Sequence, residues 1–399
     1  MAKTHPGLLL VFYLLGLFPL LGLLVWGGVR HTAWYVHTVE SQVEKRLKLP
    51  VTIEKVQHPG PGRTRLTEVR LFDESADDMA EEKPLFVVPR LEIREHNVER
   101  DGRKIRLQQW TIPEMTLEAI RLETLWNLHR QVLAEVGYWR DNELELDVEE
   151  QVRVQTAVPL EVRNARLRIF QGAFGPQTDI VFTLPDGEMD TPVQATLQSV
   201  RKKSATAILA TLTTASGGIP AEHLFSLFPI LEKMGDKTRF SGEIIIQQSF
   251  RGWSGLFRGT FQNLDLSQVL SPDTPLSGRG ELRLESARFD GGRLVEATGT
   301  FTAGPGNMKR DFLEKIMKIT RLAARGDLQN LSDPVPFERL AFGFRIQNGQ
   351  ITLTGQCPDF GPGVYLTSTN APLLREPETP RKPFSAALFF TVMAGGEIP

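Results

Sequence analysis

Cysteine is almost missing from this chain of 399 residues: Cys357 stands alone, so neither an internal disulfide nor a multi-cysteine metal site can form. Charge of one sign is missing too. With 46 Lys+Arg against 48 Asp+Glu and a formal charge of −2, there is no global positive excess to meet a phosphate backbone, which argues against nucleic acid as a ligand. Histidine is sparse. The seven, at 5, 31, 37, 58, 96, 129 and 223, include no pair three or four apart, the spacing that would set two imidazoles on one helix face. The chain also lacks a Walker A loop, a Rossmann glycine fingerprint, His-Glu-x-x-His, a Gly-x-Ser-x-Gly elbow and Cys-x-x-Cys. No catalytic residue, metal or cofactor is therefore expected. Hydrophobic residues at 41%, with 23 Phe, are those of a folding chain.

One long stretch carries no charge at all. From Thr4 to Val29 there is no Asp, Glu, Lys or Arg, and Leu8 to Val29 is apolar almost throughout. At about 1.5 Å per residue this run covers a hydrocarbon core of roughly 30 Å. It is longer than the apolar region of a secretory signal, and Gly27-Gly28-Val29-Arg30 is no clean cleavage site, so a retained transmembrane anchor is expected over a cleaved leader. Flanking charge leaves its orientation open: Arg30 is the only nearby cation after it, whereas Lys45, Arg46, Lys48 and Lys55 follow further on. Trp34 and Tyr35 suit an interfacial anchor, and helix is expected to run from Ala33 to Leu47 until Pro50 stops it.

Beyond Pro50 the pattern changes to period two. Val152-Arg-Val154, Leu160-Glu-Val162, Leu282-Arg-Leu284 and Phe342-Gly-Phe344-Arg-Ile346 place apolar residues on one face and polar ones on the other, as half-buried strands do. Asp290-Gly291 and Asn348-Gly349 supply the positive φ values of tight hairpins, so neighbouring strands run antiparallel. The acidic, alternating Glu143, Glu145 and Asp147 read as the wet face of one strand, and Asp73 to Lys83 as a solvated loop. Cys357, with no base near it in sequence, reads as a buried or loop cysteine.

The expected fold is mostly β with a few helices: an N-terminal transmembrane helix, then a long curved antiparallel sheet forming a groove. The expected division is a tail at 1–7, the anchor at 8–29, a juxtamembrane helix at 30–49 and a β region at 50–214 with a helix near 122–136. A second β region covers 215–371 with helices near 221–234 and 308–324, and a Pro-rich tail with a last strand covers 372–399. The helix near 308–324 is basic and amphipathic, with Phe312, Ile316, Ile319 and Leu322 at helical spacing; it suits a cap over the sheet or a contact with anionic headgroups.

Arg46-Leu-Lys-Leu-Pro50-Val-Thr-Ile53, Thr64-Arg-Leu-Thr-Glu-Val-Arg-Leu71 and Pro84-Leu-Phe-Val-Val-Pro-Arg-Leu-Glu-Ile93 follow the anchor in an order that resembles the start of AsmA-like proteins. The stretch Phe337 to Gly355 resembles that family's closing strand pair, and Phe261-Gln-Asn-Leu-Asp-Leu266 shares its cadence. The resemblance implies a bacterial inner-membrane protein, single-pass with its bulk in the periplasm, belonging to the repeating β-groove group linked to lipid transport and outer-membrane upkeep. Its implied partners are phospholipid or another acyl lipid, the inner membrane and other envelope proteins.

Candidate groove-lining residues are Leu167, Ile169, Ile244, Ile246, Phe257, Phe261, Leu282, Leu284, Phe342, Phe344, Ile346, Ile351 and Leu353. The same residues would equally serve as the core of a closed sandwich. Two functions therefore stand: a non-catalytic carrier that binds or conducts lipid tails, and an envelope scaffold or assembly factor with a closed core. A hydrolase with an unrecognised site is a third.

Overall fold

The computed structural model describes residues 32–393, apart from 48, 73–83, 101, 119–121, 156–158, 186–190, 203–204, 216, 222–233, 236, 250–251, 270–275, 292, 326–330, 370 and 378–381. The expected span at 8–29, the loop at 73–83 and most of the helix near 221–234 lie outside these residues. Among the described residues no helix is long and apolar enough to cross a membrane. The chain divides into two compact units, Met1–Thr183 and Leu184–Pro399. Both are mostly β, with a few short helices.

In the first unit, α1 (Ala33–Leu47) ends where Pro50 forbids further helix, as the sequence requires. It then lies against the outer edge of β1 (Val51–Gly60), whose alternate N–H groups have no neighbouring strand to meet among the described residues. Two carboxylates of α1 meet them instead. Ile53 N–H donates to Glu40 Oε1 at 2.7 Å and Val51 N–H to Glu44 Oε1 at 3.2 Å. The match is geometric, since four residues of helix rise about 6 Å and two residues of strand about 6.7 Å. At the far end of α1 the Tyr35 hydroxyl and His58 Nε2 share a hydrogen bond of 2.8 Å.

From β1 the ladder runs antiparallel through β2 (Arg63–Leu71), β3 (Phe86–Arg100) and β4 (Arg103–Glu118). The next pairing departs from the all-antiparallel expectation. Strand β5 (Asn142–Gln155) lies parallel to β4, because α2 (Leu122–Ala134) and α3 (Val136–Trp139) carry the chain back to the starting end. A parallel neighbour demands such a crossover. Strands β6 (Leu160–Gly172) and β7 (Gly175–Leu184) complete the unit antiparallel.

In the second unit β8 (Thr191–Lys202), β9 (Ala205–Thr214), β11 (Arg239–Ser249), β12 (Gly252–Asp265), β13 (Leu276–Asp290), β14 (Arg293–Met308), β17 (Arg339–Gln347) and β18 (Gln350–Gly355) pair successively, all antiparallel. The short β10 (Ile219–Pro220) joins β11 and β16 (Val335–Phe337) joins β14. Strand β19 (Val364–Thr367) pairs with β17 and β20 (Pro372–Arg375), β15 (Ala323–Ala324) with β20, and β21 (Phe384–Ser385) with β18. The boundary expected at 214/215 falls inside this unit, because β9 pairs with β11 across it. Asn348 and Gly349, with φ of 53° and 73°, form the β17–β18 turn as expected.

Three helices follow from local signals. A single turn, α4 (Leu266–Val269), follows β12; α5 (Arg310–Thr320) carries the apolar stripe read from sequence, with Phe312, Leu313 and Ile319 buried. The last described element is α6 (Ala386–Met393), which follows β20 and the two-residue β21 within the stretch expected to hold a Pro-rich tail and a last strand. The run Ala-Ala-Leu-Phe-Phe-Thr-Val-Met has no alternation to set it as strand, and the Ser385 hydroxyl accepts the Leu388 N–H at 3.3 Å as an N-cap.

Candidate functional site

Cross-strand partners in an antiparallel ladder point to the same side of the sheet, so register decides which side chains share a face. In the second unit it assembles successive apolar rows. One row reads Phe240, Phe261, Leu282, Phe301, Phe342. The widest crosses eight strands as Ala195, Leu212, Ile244, Phe257, Ala287, Ala297, Ile346, Ile351. A further row holds Leu197, Ala210, Ile246, Gly255, Phe289, Leu294. The opposite face is polar, with the row Ser241, Thr260, Arg283, Thr300, Gly343, Thr354.

Eleven of the thirteen candidate residues therefore lie on one face of the second unit: Ile244, Ile246, Phe257, Phe261, Leu282, Leu284, Phe342, Phe344, Ile346, Ile351 and Leu353. Their burial is graded. Ile244, Phe257, Phe261, Ile346, Ile351 and Leu353 are buried, whereas Ile246, Leu282, Leu284, Phe342 and Phe344 are half-buried, with Phe289 and Phe301 beside them in the same class. Leu294, at the hairpin end, is 37% exposed.

Between the row that starts at Phe240 and the widest row runs a line that includes Gly242, Gly259 and Gly299. A Cβ on Gly242 would stand 2.1 Å from the Arg258 carbonyl oxygen, and one on Gly259 2.3 Å from that of Ser241. Their φ values of 152° and 146° also lie where side chains are strained. Backbones approach here more closely than any other residue allows, and glycine at such a crease lets strands bend.

At one end the apolar face is covered. Phe312 and Ile316 of α5 and Phe389 of α6 face Leu340, Phe342 and Leu353 across a crevice of about 40 Å³ whose accessible lining is wholly apolar. The capping expected of the basic amphipathic helix is thus realised. Phe342 belongs both to this crevice and to the half-buried strip, its ring 5.3 Å from that of Phe301.

Leu167 and Ile169 are in the other unit. There Ile169 joins Leu133, Trp139 and Leu144 in a core covered by α2 and α3, with Leu167 packed against it. Trp139 Nε1–H donates to the Val132 carbonyl at 2.7 Å, pinning the crossover. Both lie on β6, whose alternation is the same as that of the second unit's strands; what differs is the pair of helices at this core.

The charged groups serve the framework. Glu143, expected on a wet face, is buried between Arg100 at 2.8 Å and Arg168 at 3.1 Å, and Glu145 meets Arg100 at 2.8 Å, so β3, β5 and β6 are stitched by charge. Long β3 runs past the end of β2, and its Arg100 reaches both carboxylates of the acidic strand. Arg90 and then Arg65 hold the Glu92 carboxyl below the usual carboxylate range. Cys357 is buried beside Ala341 and Val364, and burial pushes its thiol up, away from nucleophilic character. Among the described residues no group of three or more His, Cys, Asp or Glu is placed to hold a metal ion.

Comparison with family models, with curated proteins and with solved structures returns no match.

Proposed function

We propose that this protein is a non-catalytic, membrane-anchored carrier that holds or conducts the tails of phospholipids on the apolar face of its second unit. The supporting observation is the shared face of eleven candidate residues, of which Ile246, Leu282, Leu284, Phe342 and Phe344 keep part of their surface accessible. Moving a sixteen-carbon chain through water exposes about 0.8 kcal/mol per CH₂, roughly 13 kcal/mol in all, so a carrier must offer an apolar surface that a tail can reach. Half-buried side chains over several strands supply one. The uncharged stretch from Thr4 to Val29 is the anchor in this reading. The likeness to AsmA-like proteins points to the bacterial inner membrane, with both units in the periplasm and a part in outer-membrane lipid homeostasis.

The experiment is native mass spectrometry of the full chain after gentle extraction, with photocrosslinkable phospholipid as a second readout. Ile246→Asp and Leu284→Asp abolish bound and crosslinked lipid while the circular dichroism spectrum stays native. Absence of lipid from the parent protein ends the carrier reading. A second reading, an envelope scaffold with a closed core, is favoured by the burial of Ile244, Phe261, Ile351 and Leu353. It requires Leu284→Asp to unfold the protein.

A further inference from the structure

The outer face of the first unit's leading strands carries positive charge that the fold does not neutralise. Leu66 and Leu91 are cross-strand partners in the β2–β3 ladder and both are buried, so their side of the sheet is the apolar one. Alternation puts three other pairs of this ladder on the opposite face: Arg63 with Arg94, Arg65 with Glu92, and Thr67 with Arg90. Lys55 of β1, the partner of Thr67, extends the group. In these rows of β1 to β3 the cations surround one carboxylate, that of Glu92.

Glu92 is already committed. Its carboxylate accepts hydrogen bonds from Arg90 and, at 2.7 Å, from Arg65, and Arg94 stands 4.0 Å away. Lys55 and Arg63 are exposed and have no acidic partner among the described residues. Two further carboxylates, Glu54 and Glu68, lie between these rows, and Glu68 is engaged by Arg70 at 3.4 Å, so the surplus stays positive. Beyond β3 the rows continue with the uncharged Gln109 and Thr111 of β4, and the carboxylates that follow on β5 have cations of their own: Glu145 meets Arg100 at 2.8 Å and Asp147 meets Arg166 at 3.0 Å. Like charges directly opposite, as Arg63 and Arg94 are, work against a ladder. Folding gives no reason for them.

The position of this face relative to the uncharged stretch supplies the partner. Helix α1 opens at Ala33, four residues after Val29. Its first turn is tied to the β1–β2 hairpin, since the Tyr35 hydroxyl and His58 Nε2 share the 2.8 Å bond and the Thr64 hydroxyl and His58 Nδ1 share another of 3.2 Å. Thr64 stands between Arg63 and Arg65 in the chain. The residues from Val29 to Tyr35 span at most about 20 Å, so a membrane crossed by the uncharged stretch is held close to the arginines. Trp34, in that first turn, is 68% exposed, which suits an indole at headgroup level.

We infer that Lys55, Arg63, Arg65, Arg90 and Arg94 form a docking face for the anionic phospholipid headgroups of the membrane that holds the chain. This rests on the anchored reading and adds a second contact, which turns the outer face of β1–β3 toward the bilayer. Each cation close to an anionic surface contributes about fivefold, so loss of three lowers the ratio of docked to undocked protein on the order of a hundredfold.

The test inserts the full chain into vesicles of phosphatidylcholine, or of phosphatidylcholine and phosphatidylglycerol in equal parts, with a fluorophore on Pro61→Cys at the exposed tip of the β1–β2 hairpin and a quencher on a trace of the headgroups. Cys357 is buried and stays unlabelled. Quenching is deep only in the anionic vesicles, and at about 0.5 M salt, where charges are screened within several ångströms, it falls to the neutral level. Lys55→Gln, Arg63→Gln and Arg94→Gln together act as salt does, whereas Arg153→Gln, which removes a charge paired with Glu114 at 3.7 Å, leaves quenching unchanged. Should the triple variant fold poorly, the salt comparison decides. Equal quenching in both vesicles, or a contrast that survives salt or neutralisation in a folded triple variant, overturns the inference and leaves the anchor intact. Equal quenching together with saturable binding of a poly-glutamate peptide also overturns it, because the face would then belong to an acidic protein segment. If the chain floats with neither vesicle after an alkaline wash, the anchored reading falls and the docking face falls with it.

Discussion

Single residues separate a lining surface from a core. Ile244 and Ile246 are two apart on one strand and one face, yet Ile244 is 1% exposed and Ile246 is half-buried. An aspartate at 244 leaves a carboxylate with no water, so Ile244→Asp abolishes the cooperative unfolding of the second unit, while Ile246→Asp shifts its melting midpoint by only a few degrees. Thermal denaturation of the two variants side by side checks this. Alternation told both residues to point the same way; it held no information about what lies above each. His129 makes a similar point for charge. Burial pushes its imidazole down to about 4, and its Nε2 is buried without a hydrogen-bond partner among the described residues. The folded state thus binds the proton less readily than the unfolded chain, with its ordinary value near 6.5. The resulting stability is complete above pH 6.5 and is lost as pH falls toward 4, amounting to no more than about 3 kcal/mol. His129→Phe removes that slope, measured as the urea midpoint at pH 7 and pH 5.

At the scale of elements, α1 shows how an exposed sheet edge is managed. Glu40 and Glu44 are spaced to meet the outward amides of β1, and a carboxylate accepting a backbone N–H contributes about 1.5–3 kcal/mol. Glu40→Ala with Glu44→Ala speeds hydrogen exchange at Val51 and Ile53 at least tenfold and leaves Thr52, whose amide faces β2, nearly unchanged. Uniform acceleration of all three would mean that the strand, and not the clip, had been lost. Helix α1 and the Asn348-Gly349 hairpin were legible because local chemistry alone dictates them: a proline stop in one, positive φ in the other. The β4–β5 parallel pair and helix α6 were not. The first depends on where a crossover returns, and the second is an apolar run without periodicity, whose best clue was the capping Ser385.

At the scale of the molecule, each of the two units has helices of its own over part of its sheet, α2 and α3 in the first and α5 with α6 in the second. Each unit is expected to unfold as its own cooperative block, so calorimetry of the full chain shows two transitions. Ile244→Asp removes one of them, and His129→Phe changes the acid sensitivity of the other. A single transition altered by both variants would contradict this. The sequence by itself determined the β character, the hairpins, α1, the capping helix and the uncharged N-terminal stretch, since each follows from periodicity, turn chemistry or hydropathy within a short window. Only the tertiary structure decided that Ile169 is buried in the core with the crossover-helix residues Leu133 and Trp139, with Leu167 half-buried against that core, while Leu282, Leu284 and Phe344 keep accessible surface. Alternation fixes which way a side chain points, but coverage depends on elements far away in the chain, and no local pattern encodes their arrival.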